Sequence, residues 1–221
     1  KRVSPDDMPV PQSVLTRIAG LFGEPLSPYQ AVERILADIR RNGDTALREW
    51  TIRLDGAAPE TFRVRRGELR AALDALPTRQ RTAFELAAER VLRFHQAQPV
   101  TSWMTQNLGG TLGQFVRPIR RIGLYVPAGT APLPSSVLMS VCPAQAAGVK
   151  DIALVAPPQH GLGRIAPSIL ATAALLGIEE VYTMGGAQAI GALAYGTESI
   201  PAVDKIFGPG NLFVTLAKKQ V

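Results

Sequence analysis

Beyond about residue 112 the chain alternates short apolar runs with helical periodicity, and this alternation narrows the possible folds sharply. Residues 121–126 read as a strand, and Ser135-Ser136 then opens a helix through Val137, Leu138, Met139, Val141 and Ala144 to Gly148. Residues 151–156 form a second strand ending at a double proline, followed by a helix over 169–176 closed by Gly177. Residues 180–184 turn through Gly185-Gly186 into a helix over 187–195. Residues 203–207 turn through Gly208-Pro209-Gly210-Asn211 into a helix ending near Lys218-Lys219. Short apolar strands joined by helices imply parallel neighbours with both faces covered. The predicted class is therefore α/β, a parallel sheet with flanking helices.

The first half reads differently. Residues 1–26, with four prolines and Gly20 and Gly23, are expected to be an irregular arm. Ser27-Pro28-Tyr29-Gln30 combines a cap, a first-turn proline and a capping box, and Val32, Ile35, Leu36 and Ile39 follow on one face. Asn42-Gly43 is expected to end that helix. A second helix carries Leu47, Trp50 and Leu54 up to Asp55-Gly56, and a third carries Leu69, Leu73 and Leu76 up to Pro77. A fourth, capped by Thr78, aligns Phe84, Ala87, Ala88 and Val91 and fades after His95. Residues 27–102 are thus predicted to be mainly helical, and 103–221 to form the sheet domain.

Composition excludes several functions. The longest mostly apolar run, 165–178, contains Pro167 and falls short of the roughly 18 residues that span a bilayer, so no membrane partner is expected. The chain opens Lys-Arg-Val-Ser-Pro-Asp-Asp, with no initiator Met and no apolar export signal, so the true start is expected to lie upstream. The net charge of +6 sits mostly before residue 121, where 18 basic groups face 13 acidic ones. They alternate along helical faces without interleaved aromatics, so a solvated surface is expected and nucleic acid is not. The lone cysteine, Cys142, suits a reducing compartment, and a cytoplasmic location is expected. It reads as a small core residue. His95 reads as a helix-terminal histidine bonded to a backbone carbonyl, and His160 as a solvated loop residue. These three offer no recognised metal-ligand spacing, so no metal ligands are expected in the chain.

Chemistry concentrates in the turns. In a parallel sheet the ligand crevice lies beyond the carboxyl ends of the strands, where turns lead into helix N-termini. Three of the four turns carry glycine, which permits close backbone approach to an anion such as phosphate. Gln188 and Asn211 follow two of them and bring uncharged amides to the same rim, while Tyr125 adds a flat ring and a hydroxyl. A nucleotide-type ligand fits this set. The competing reading is that the glycines serve only the turns. Gly-x-Gly-x-x-Gly is absent, and no acid stands where a ribose contact is expected, so the site is not an ordinary dinucleotide fingerprint.

Several segments carry a family resemblance. Residues 119–141 (IRRIGLYVPAGTAPLPSSVLMSV), Gly185-Gly-Ala-Gln-Ala-Ile190, residues 193–201 (LAYGTESIP), Val203-Asp-Lys-Ile-Phe-Gly-Pro-Gly-Asn211 and Ala217-Lys-Lys-Gln-Val221 closely resemble histidinol dehydrogenases, as do Arg41-Asn-Gly-Asp-Thr-Ala-Leu47 and Leu86-Ala-Ala-Glu-Arg90. The resemblance covers about residues 25–221. It implies NAD-dependent, zinc-assisted oxidation of L-histidinol through an aldehyde to L-histidine, by a homodimer built on incomplete Rossmann-like domains. It places NAD contacts on Tyr125, Gln188 and Asn211. Ala128 departs from the family's usual glycine. The family's zinc ligands and catalytic Glu-His pair fall after Val221, so a fragment carrying only the NAD-binding portion is expected. Two alternatives stay open: a short non-catalytic nucleotide-binding homologue, and a dehydrogenase of like architecture acting on another amino alcohol.

Overall fold

The computed structural model describes residues 10–128 and 131–221. The predicted strands form one parallel sheet of β3 (Arg121–Tyr125), β4 (Asp151–Ala156), β5 (Val181–Thr183) and β6 (Lys205–Phe207), in the order β5-β4-β3-β6. Two short strands precede it, β1 (Trp103–Thr105) and β2 (Leu112–Gln114), which pair as an antiparallel hairpin the sequence did not reveal.

Side-chain alternation sorts the sheet into two cores. Ile122, Leu124 and Val126 of the β3 segment, with Ile152, Leu154 and Ala156 of β4, face α5 (Pro134–Ala146) and α6 (Pro167–Leu175). Tyr125, Ala153, Val155 and Tyr182 face the opposite way, toward α7 (Gly186–Tyr195) and α8 (Leu212–Gln220). This is the two-sided burial that parallel sheets require. The outer edge of β5 is covered by residues 62–64. Val64 N donates to Val181 O at 2.8 Å and Thr183 N to Phe62 O at 2.8 Å.

Four helices come from the first half: α1 (Gln12–Phe22), α2 (Pro28–Asp55), α3 (Arg66–Asp74) and α4 (Thr78–Gln96). The capping box at Ser27 and Gln30 forms as expected. The expected helix end at Asn42-Gly43 is present as a break inside α2: Gly43 leaves the helical region with φ 50° and ψ −129°, and two helical segments meet there at a kink. The chain tolerates the break because Glu198 accepts the Asp44 N–H at 2.8 Å, while Trp50 Nε1 donates to Asp38 Oδ2 at 2.7 Å across the bend.

The expectation of an irregular arm is corrected over residues 12–22. They form α1, whose Ile18 is buried against Leu26 and Ala31. Pro11 and left-handed Gly23 delimit this helix, so the residues that suggest irregularity are its two ends. Pro77, not Thr78, occupies the capping position of α4, and no side-chain cap is made. The α4 stripe of Phe84, Ala87, Ala88 and Val91 is only partly buried, lying on α5, where Cys142 Sγ donates to Ala88 O at 3.7 Å.

At the amino end of the strands, Arg121 reaches across β4 to Glu180 through both terminal nitrogens, and Tyr182 Oη donates to the same carboxylate at 2.8 Å. Burial favours the neutral acid, but the bonds from Arg121 and Tyr182 outweigh it and hold Glu180 below the ordinary range. Both side chains of the ion pair are less than a fifth exposed. Removing one partner leaves the other charge desolvated, so Arg121→Met is expected to cost about 2–4 kcal/mol in urea denaturation at pH 7. A depressed carboxyl pKa stabilises the fold above the unfolded value of 4.5, and that share is lost as pH falls through the folded value. The variant should therefore lose less stability in acid than the parent. A cost near zero, or an unchanged acid limb, would refute this role.

Candidate functional site

The chain runs from β3 to β4 to β5 in one direction, then returns to the other side of β3 to lay down β6. Strand order therefore reverses between β3 and β6, and the crevice of such a sheet opens beyond the carboxyl ends at that point. The turn after β6 lies directly on β3. Gly208 has φ 113°, and a Cβ there would overlap the Tyr125 carbonyl, so only glycine permits the approach. Lys218 Nζ donates to Gly208 O at 2.5 Å and fixes the turn from α8, with burial lowering the lysine pKa.

The structure brings Tyr125, Gln188 and Asn211 to one cavity of about 470 Å³ beside this reversal. Tyr125 is buried, and its Oη accepts the Gly186 N–H at 3.2 Å, leaving the phenol proton for another acceptor. Burial raises its pKa, the bond from Gly186 lowers it, and the nearby Asp55 raises it again; the net shift is upward, so the phenol stays neutral.

Gln188 is fully buried, an unusual position for an amide. Nε2 lies 3.5 Å from Asp55 Oδ2, and Oε1 is the one buried side-chain oxygen or nitrogen without a hydrogen bond among the described residues. Leaving such an acceptor bare costs about 1–3 kcal/mol. Gly186, at φ 63°, sits against it with no room for a side chain. Asn211 Oδ1 accepts the Val214 N–H at 3.1 Å and caps α8. The cap uses only the oxygen, so Nδ2 remains for a ligand.

Three lining residues are not signalled by the sequence. Asp55 ends α2, Arg17 comes from α1, and His160 from the loop after β4. His160 is exposed, as expected, yet it lies beside Gly56 at the cavity wall. The one available signal for Asp55 is its place at a helix C-terminus, where the dipole disfavours an anion. His95 is corrected too: its Nδ1 pairs with the Gln98 side chain at 3.0 Å, not with a backbone carbonyl. Gly129 of the first glycine turn lies outside the described residues. Ala128 is buried without positive φ, so the turn tolerates alanine there. Cys142 is a buried core residue. Among the described residues no three His, Cys, Asp or Glu side chains converge as metal ligands.

A larger hollow of about 1180 Å³ lies on the α5 side of the sheet, between Met139 and Val100. Among its described lining residues no buried polar side-chain atom lacks a partner. The smaller cavity is therefore the candidate site.

A family model described as histidinol dehydrogenase matches residues 26–221. A histidinol dehydrogenase of Deinococcus radiodurans is 52% identical over 214 residues, 97% of this chain and 48% of the relative. That of Moorella thermoacetica is 49% identical over 193 residues, covering 86% of this chain and 45% of its own. The crystal structure of histidinol dehydrogenase from Elizabethkingia anophelis superposes with a TM-score of 0.83 at 39% identity, covering 93% of this chain and 48% of that one. The chain spans about half the length of the curated relatives it matches.

Asp55 gives the cavity a pH signature. Burial pushes its carboxyl up to about 6, against smaller opposing effects of His160 and Arg17. A raised folded pKa gives stability that is fully present below the unfolded value of 3.8 and is lost as pH rises through about 6. Asp55→Asn removes the titration. Ligand-free thermal melts should find the variant more stable than the parent at pH 7–8, with the difference vanishing toward pH 4. Parallel pH–stability curves for the two proteins would show that the carboxyl is not desolvated.

Proposed function

The chain belongs to the histidinol dehydrogenase family, and from that premise we propose that its crevice binds NAD for the oxidation of L-histidinol, through L-histidinaldehyde, to L-histidine. In this reading the chain supplies the NAD-binding portion of a cytoplasmic, homodimeric enzyme of histidine biosynthesis. Residues 1–26 form its arm, with α1 walling the crevice; 27–102 form its helical portion; and 103–221 form its nucleotide-binding domain. The observation that carries the reading is the bare Oε1 of fully buried Gln188 beside the strand reversal. It asks for a donor that the described residues do not provide.

NAD, when bound, supplies the hydride acceptor. This chain's residues supply the seat. Tyr125 offers a phenol proton, Gln188 Oε1 accepts, and Asn211 Nδ2 donates at the start of α8, where the helix dipole also favours a phosphate. Zinc is different. The described residues offer no converging ligand set for it, so the chemistry assigned to this chain runs through no metal.

Two substitutions separate ligand contact from structural support. Asn211→Ser keeps a capping oxygen but removes the amide, so ligand-free stability should hold. Losing one neutral hydrogen bond, about 0.5–1.5 kcal/mol, should raise the NAD dissociation constant about two- to twelvefold. Gln188→Met should raise it similarly without lowering ligand-free stability, because an unsatisfied buried group leaves with the amide. Titration calorimetry with NAD measures the first quantity and thermal melts the second. NAD affinity unmoved in both variants, or no NAD binding by the parent chain, would sink the reading.

A further inference from the structure

The crevice contains one acid among its described lining residues, Asp55, and the proposed seat for NAD gives it no task. Its position is costly. It is the last residue of α2, where the free carbonyls of the helix end already concentrate negative charge. Its side chain makes no ion pair within 4.0 Å among the described residues, although Arg17 and His160 line the same cavity. Its polar contact is Gln188 Nε2 at 3.5 Å, the outer limit of a hydrogen bond. The backbone holds the residue in place, since Asp55 O accepts the Gly161 N–H at 3.1 Å.

Two underused acceptors therefore lie side by side, the Asp55 carboxylate and Gln188 Oε1. Neighbouring acceptors that share one long protein hydrogen bond between them call for a ligand with two adjacent donors. The 2′,3′-diol of a ribose presents two adjacent hydroxyls. A phosphate on either hydroxyl removes a donor and sets a dianion against a carboxylate and the end of a helix. In an ordinary doubly wound sheet the acid for this contact ends the second strand. Here that strand ends in Ala156-Pro157-Pro158, and both prolines stand in the cavity wall. The acid arrives from another element.

Resting on the nucleotide reading of the crevice, we propose that Asp55 is a specificity-determining residue, which accepts the free ribose diol of the bound nucleotide and excludes a ribose bearing a 2′-phosphate. Gln188 Oε1 takes part in the same contact.

Calorimetric titration of the chain with 5′-AMP and with adenosine 2′,5′-bisphosphate tests this directly. The parent should prefer 5′-AMP by at least about tenfold, the scale of hydrogen bonds to a charged group. Asp55→Asn should weaken 5′-AMP binding and bring the two affinities within about threefold. Asp55→Ser, which removes the carboxylate in a smaller side chain, should do the same, and thermal melts check that both variants fold. If the parent binds 5′-AMP and the variants keep its preference, the assignment of Asp55 fails while the nucleotide crevice stands. Equal binding of both probes by the parent also overturns the assignment. Binding of neither probe by the parent overturns the nucleotide reading and the assignment together.

Discussion

Helix α7 buries every residue from Ala187 to Leu193, so it needs a layer above it as well as the sheet below. Helix α2 is that layer. Leu36 and Ile39 approach so closely that a Cβ on Gly191 would lie 3.1 Å from the Leu36 side chain. On the lower side Gly123 of β3 makes room for Leu193, and a Cβ on that glycine would lie 2.9 Å from a Leu193 methyl. Both contacts use the absence of a side chain to bring backbone layers together. The first half of the chain is thus tied to the sheet through one shared core of Val32, Ile35, Leu47, Ile190 and Tyr182.

That packing also determines what reaches the crevice. With α2 lying along α7, its last residue falls over the first turn of α7, and Asp55 meets Gln188. Neither position is favourable for a ligand-free protein. A buried amide lacks a partner and a desolvated carboxyl sits at the wrong end of a helix dipole. Apolar replacements of similar size satisfy the packing equally well. Local violations of this kind concentrate where a ligand completes the structure.

The sequence discloses whatever depends on neighbours in the chain. Strand–turn–helix alternation locates β3 to β6, and the glycine turns point to Tyr125, Gln188 and Asn211 as rim residues. The structure places these three in one cavity. The capping box at Ser27 and the buried state of Cys142 are equally local. Asp55 shows in the sequence only as an acid at a helix end, because its partner lies 133 residues away and no spacing rule connects the two. The α2 break at Gly43 is legible from Asn42-Gly43, whereas the acceptor that supports it, Glu198, comes from the loop after α7 and is not. In α1, Pro11 and Gly23 suggest irregularity, whereas tertiary burial of Ile18 makes them boundaries. The hairpin of β1 and β2 offers runs of only three residues each, too short for a period-2 pattern to register.

The two ends of the sheet are built on opposite electrostatic terms. At the amino end Arg121, Glu180 and Tyr182 satisfy one another across β4, and Asp204 accepts from both the Arg121 N–H and Arg120, tying β6 to β3. At the carboxyl end the buried amide and carboxylate of the crevice are left short of donors. A sheet that is clamped at one end keeps the strand-to-helix turns at the other in register, so the rim groups they carry are placed before a ligand arrives. Rigidity there lowers the cost of ordering the site when a ligand arrives. The clamp is remote from the crevice, yet it keeps Tyr125 and the Gly208 turn in register across β3 and β6, at the far end of the strand from Arg121. Loosening it should therefore weaken ligand binding through misplacement of the turn, even though no residue of the clamp lines the cavity.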